Sequence, residues 1–208
     1  MIDFDRAGRN LRALLTLAFT DREAEWRRTL DSSTNGALQS FTAIILSVPF
    51  VALSLVMSRR AALASEFSEE LVYTSAPAAF VLTGEMIAWA LIWAASLIFL
   101  MALARGLKAE RNASQLIVAY NWAQLLGATL LAIPVTVFLL SASYELMLIL
   151  QVVLLVFNLY ILWRILRTLL PLDVGATIAV ISGLILIEFA IFTVTNDILI
   201  AFAQVAFG

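Results

Sequence analysis

The sequence predicts an all-α fold: a polytopic integral membrane helical bundle, with five transmembrane helices preceded by a cytoplasmic amphipathic helix pair. Three observations predict it. Of 208 residues, 62% are hydrophobic and 13% charged, against ~45–50% and ~25% in a typical soluble domain. The mean hydropathy is +0.98, and 13 basic plus 15 acidic side chains are too few to cover a water-soluble domain of this size. Those charges are also clustered, which leaves five apolar stretches of the ~20 residues needed to cross the hydrocarbon.

The chain opens with a charged segment, residues 1–37, expected to remain on the mature protein because a signal peptide would pass directly from a basic start into an apolar run. From Asp3 to Phe19, the residues Phe4, Ala7, Leu11, Leu14, Leu15 and Ala18 recur at helical spacing, with Arg6, Arg9 and Arg12 between them. That pattern predicts a helix lying in the headgroup layer with its arginines facing the headgroups. Thr20-Asp21-Arg22-Glu23 reads as a capping box that starts a second short helix to about Leu30. Asp31-Ser32-Ser33-Thr34-Asn35-Gly36 then breaks the chain before the membrane domain, residues 38–208.

Within that domain the spans fall at about 38–57, 78–104, 115–140, 145–168 and 174–197. The second is interrupted only by Glu85 and the fifth only by Glu188, while Arg164 and Arg167 at the end of the fourth snorkel to the interface. Pro49 and Pro134 each remove one intrahelical bond and are expected to kink the first and third spans.

Basic residues set the sidedness, because cytoplasmic links retain Lys and Arg. Arg6, Arg9, Arg12, Arg22, Arg27 and Arg28 precede the first span, Arg105, Lys108 and Arg111 follow the second, and Arg164 and Arg167 follow the fourth. These links all lie on one side, which places the N-terminus in the cytoplasm and the C-terminus outside. Arg59 and Arg60 are discordant, although Glu66, Glu69 and Glu70 follow them. Arginine outnumbers lysine 12 to 1, a bias of GC-rich bacterial genomes, so the bacterial inner (cytoplasmic) membrane is the expected location of this multi-pass chain.

Few residues inside the spans offer chemistry. An acid in lipid is costly, so Glu85 and Glu188 are the leading candidates. They suit either a shared proton, cation or water-filled cleft, or hydrogen-bonded packing between helices. Trp89 and Trp93 follow Glu85 at i+4 and i+8, which lays two indoles and a carboxylate along one helix face. Such a stripe fits a pocket for a cationic headgroup, or large aromatics buried between helices. Asn121, Gln124 and Asn158 read as interhelical hydrogen-bonding groups. Two stripes of small residues, Ala119, Ala123 and Gly127 on the third span and Gly175, Ala179 and Gly183 on the fifth, predict close helix contacts within the bundle or between protomers.

The chain has no Cys and no His, which removes disulfides, thiolate and imidazole metal sites, His-ligated haem and imidazole acid–base catalysis. No nucleotide-binding loop, dinucleotide fingerprint or nucleophile elbow is present. Neither catalysis, a cofactor nor a metal is expected. Nor is nucleic acid, since the basic residues follow a membrane pattern rather than a phosphate-binding patch. The expected partners are the lipid bilayer and other membrane-protein subunits or a second copy of the chain.

Three blocks resemble the Yip-domain (Ypt-interacting protein) family of five-span membrane proteins, in its bacterial form. They are Leu14 to Trp26 as an amphipathic lead-in, Leu116-Ile117-Val118-Ala119-Tyr120 opening the third span, and Asn158-Leu159-Tyr160-Ile161-Leu162 running through Leu170-Pro171 to Ala176-Thr177. Asp21 stands where a lead-in Pro is expected, and the DLYGP-type motif of eukaryotic members is absent, so their small-GTPase partnerships are not implied. The resemblance implies a non-catalytic membrane-organising or partner-binding scaffold. The alternative is a small secondary transporter or proton- or cation-conducting protein using Glu85 and Glu188. A polar cavity reaching either carboxylate would distinguish the second from the first.

Overall fold

The computed structural model describes residues 4–20, 26, 29–30, 33–63, 76–141 and 143–207. These form α1 (Phe4–Phe19), α2 (Thr34–Ser40), α3 (Thr42–Leu63), α4 (Ala78–Gly106), a 3-10 turn (Glu110–Asn112), α5 (Ala113–Ser141), α6 (Tyr144–Leu169) and α7 (Val174–Phe207), with no strand among the described residues. Five stretches are long and apolar enough to cross a membrane: Thr34–Arg60, Ala78–Gly106, Glu110–Ser141, Tyr144–Leu169 and Val174–Ala206. Leu140, Ile98, Leu186 and Val205 are largely exposed, the surface expected of helices whose solvent is lipid.

The spans exceed the expected boundaries at both ends of the domain. Ser33 caps α2 by accepting a 2.9 Å hydrogen bond from the Gly36 N–H, so helix begins within the expected break and the boundary at residue 37 falls inside it. The first span is therefore two helices joined at Phe41, whose N–H bonds to Leu38 O at 3.3 Å. The last helix continues past residue 197 to Phe207. Its 34 residues extend about 51 Å, well beyond the ~30 Å hydrocarbon thickness. Helix runs through both Pro49 and Pro134.

The spans make two layers. Helix α5 lies at the centre of the first, packed along α3 and α6, while α4 and α7 pair to form the second. Glycine permits that pairing: a Cβ at Gly84 would overlap the Leu199 side chain, and one at Gly183 would touch Phe99 at 3.4 Å. Among the described residues α5 makes no substantial contact with α7. The layers are joined at the basic end, where α4 closes with Lys108 at φ 55°. The Ala109 N–H reaches Ala104 O at 2.8 Å and the Lys108 N–H reaches Arg105 O at 3.0 Å, the bond pair of a Schellman stop.

Helix α1 requires a correction. Its apolar face is taken up by protein, with Ala7, Ala13, Leu14 and Leu17 buried in the main core beside Leu116, Ile165 and Leu166. It packs across α5 and α6, and Arg164 closes its C-terminus by donating to Leu17 O at 3.1 Å and Thr20 O at 2.9 Å. The physical reason is that packed side chains and a capped helix end offer directional contacts that a headgroup layer lacks. Phe19 remains 68% exposed and stacks on Phe157 at 5.7 Å. Thr20 donates its hydroxyl to Thr16 O at 2.7 Å; Asp21 to Glu23 of the expected capping box lie outside the described residues.

Candidate functional site

A cavity of about 280 Å³ separates the layers. Helix α4 supplies Glu85, Ala88, Trp89, Trp93 and Ser96, α7 supplies Ile181, Leu184, Ile185, Glu188 and Phe192, and Tyr120 and Gln124 of α5 face them. The α4 residues recur at helical spacing, which is why one turn after another presents a side chain to the same space. Both acids expected to matter thus line one space, with both indoles. Glu85 lies seven residues into α4, about 10 Å along its axis, and Glu188 fourteen residues into α7, about 21 Å. The cavity is close to the lower end of the ~300–1,000 Å³ range of small-molecule sites.

The walls and their surroundings carry several polar groups. The Glu85 Oε2 is buried without a hydrogen-bond partner among the described residues, and so is Nη1 of Arg59. Arg59 lies within electrostatic reach of Glu85, while its Nη2 donates to Ala76 O at 3.0 Å and ties the end of α3 to the approach to α4. Tyr120 is buried beside Ser96 and Gln124, with Glu188 within electrostatic reach of its hydroxyl. Glu188 has no such basic neighbour among these interactions, so with both acids ionised the space carries a net negative charge.

The remaining candidates divide between cavity and scaffold. Trp93 is held by two contacts: its Nε1 donates to Asn121 Oδ1 at 3.1 Å, and its ring meets Phe41 edge to face at 5.5 Å. Asn121, fully buried, donates in turn to Ser40 Oγ at 2.9 Å, and Ser40 donates to Ala37 O at 2.7 Å. This chain links α4, α5 and α2 and leaves no member unsatisfied. Ala119 is buried, Ala123 is half-buried, and a Cβ at Gly127 would meet Asn158 Oδ1 at 3.2 Å, so that stripe seats α6 against α5. The second stripe is divided. Only Gly183 meets another helix, while Gly175 and Ala179 are exposed, because α4 meets α7 through Gly183 and residues further along. Arg9 and Arg12 are exposed on α1; the Arg6 side chain lies outside the described residues.

Gln124 was expected as an interhelical hydrogen-bonding group, whereas Tyr120, Ser96 and Arg59 were not singled out as site residues. Tyr120 and Gln124 are four apart, hence on one helix face, and a tyrosine seven residues inside an apolar helix was the available signal. Ser96 and Arg59 carried none, since their roles depend on which helices become neighbours. Compared with models of known protein families, with curated proteins and with solved structures, the chain matches none.

Proposed function

We propose that this chain is a non-catalytic multi-pass protein of the bacterial cytoplasmic membrane, N-terminus inside and C-terminus outside. In this reading it binds an organic cation in the cavity between its helix layers and serves as a small secondary transporter or cation-conducting protein. The observation that carries it is a cavity with Glu85, Glu188, Trp89 and Trp93 all in its wall. Carboxylates supply charge, and indole faces attract cations through their quadrupoles. Arg59 offsets Glu85, so Glu188 is the main electrostatic anchor.

Binding of tetramethylammonium to the protein in nanodiscs, read by tryptophan fluorescence, tests this. Glu188→Gln is expected to weaken binding about tenfold, which corresponds to ~1.4 kcal/mol, and Glu85→Gln to weaken it less. Both should leave thermal stability near wild type, because a carboxamide keeps the shape and one donor and acceptor. A double Gln variant that binds like wild type would overturn the reading. A second reading, the Yip-type membrane-organising scaffold, is favoured by the docking of α1 through Arg164. It predicts no saturable cation binding and places partner contacts, with other subunits or a second copy, on the outward face of α1 carrying Arg9 and Arg12.

A further inference from the structure

We propose that the cation enters this cavity sideways from the bilayer, between α6 and α7, and belongs to the class of lipophilic amines that dissolve in the headgroup region. This deepens the cavity reading and rests on it. The outer surface of the α6/α7 seam holds an open groove of about 370 Å³, lined by Leu159, Tyr160, Trp163, Ile178, Ile181 and Ser182. Leu159 and Ile181 line the inner cavity as well, so groove and cavity are two sides of one thin wall. Both shared residues are aliphatic. Helix α6 also meets α7 far less extensively than it meets α5.

The depth of the groove selects the ligand. Ile178 to Ser182 lie about 6 to 12 Å from the start of α7, and Trp163 lies about 9 Å from the end of α6. With the basic end of the bundle at the membrane interface, this is the level just inside it, where amphiphilic cations concentrate and where Trp and Tyr belong. Tyr160 is 43% exposed and Ile178 54%, giving the mouth both an aromatic and an aliphatic surface for a cation and its chain. Glu188 stands six residues beyond Ser182 on the same helix, about 9 Å deeper. A cation drawn from the mouth to Glu188 leaves its apolar chain lying in the groove. A hydrophilic cation gains nothing from that route.

The chain has no cysteine, so Ser182→Cys can be labelled uniquely, after folding, with a bulky maleimide in nanodiscs. Two probes are compared: benzyldimethylhexylammonium, which partitions into the bilayer, and tetramethylammonium, which does not. The lipophilic probe is expected to bind at least about tenfold more tightly, from the extra apolar surface it buries. Labelling should slow its association about tenfold, since the step into the cavity becomes gated, and should leave the rate for tetramethylammonium within about twofold. Unchanged association of the lipophilic probe overturns the portal. Equal slowing of both probes overturns it too, because the hydrophilic cation has no path through lipid. If the Glu188→Gln and Glu85→Gln substitutions together leave both affinities unchanged, the cavity reading fails and takes the portal with it.

Discussion

At the basic end Leu14, Leu100, Leu116, Ile165 and Leu166 are completely shielded, and all seven helices contribute to one continuous core. Toward the far end the buried apolar cluster shrinks to Ala76, Val81 and Ala203, with Phe80 beside them. Between the two lies the cavity. The difference follows from side-chain size and polarity. Near the basic end Ala104 and Ala119 sit at buried positions and let the layers close. Further along, α4 presents a carboxylate and two indoles while α7 presents Glu188, and a dry seam there would bury charge without partners. The bundle is fastened at one end and held apart in the middle by the residues that give it chemistry.

The same substitution made in both regions should give different costs. Leu166→Ala removes a fully buried side chain from the closed core and is expected to cost about 3 kcal/mol, within the usual ~2–5 range. Leu162→Ala, whose side chain already borders the cavity, should cost about 1 kcal/mol, since little new void is created. Denaturation in detergent measures both; equal costs would break the comparison. Asn121→Ala comes next. It deprives Trp93 of an acceptor and Ser40 of a donor at a buried position, with an expected loss of about 2 kcal/mol. It should also loosen Trp93, so indole fluorescence should shift toward a more mobile, wetter environment. A variant with unchanged stability and emission would show that the network does not hold that wall.

Gly84→Ala probes the second layer alone. The added methyl meets the tip of Leu199, a flexible side chain on the far part of α7, so overpacking should cost only about 1 kcal/mol. Because the strain lies at the end of the α4/α7 pair nearest Glu85, it should perturb cation binding more than Leu166→Ala does, despite the smaller stability change. The reverse ranking would mean that the cavity is controlled from the closed end.

The sequence made some of this legible and hid the rest for a physical reason. Charge gaps located five spans because lipid penalises every charge it contains, a property of each segment taken alone. The alignment of Glu85, Trp89 and Trp93 on one face likewise needs only helical period. That Glu188 would share their space does not follow from period, because it requires α7 to pair with α4 while α5 stands clear of it. The apolar stripe of α1 was readable, but either lipid or protein can cover such a stripe, and the choice is made by its packing on Leu116, Ile165 and Leu166 and by the contacts of Arg164 with Leu17 and Thr20. Gly175 and Ala179 show the converse. Small residues allow close approach without compelling it, and within a single chain both positions stay exposed.

The smallest predicted effect concerns the joint between the layers. Lys108 ends α4 in the left-handed region, φ 55°, where a residue with a Cβ is strained by roughly 1–2 kcal/mol relative to glycine. Lys108→Gly relieves that strain but adds freedom to the unfolded chain, at about 0.4–1 kcal/mol, and removes a cation that favours a helix C-terminus by some ~0.3–1 kcal/mol. Taking the middle of each range, the balance is a net gain of only about 0.2 kcal/mol. Lys108→Ala separates the contributions: it loses the charge and keeps the strain, so it should be no more stable than wild type. If the turn from α4 to α5 is what fastens the layers, Lys108→Gly should raise the denaturation midpoint and leave cation affinity unchanged, since the cavity lies three turns away along α4. A glycine variant no more stable than the alanine variant would show that the closed end draws its stability from core packing alone.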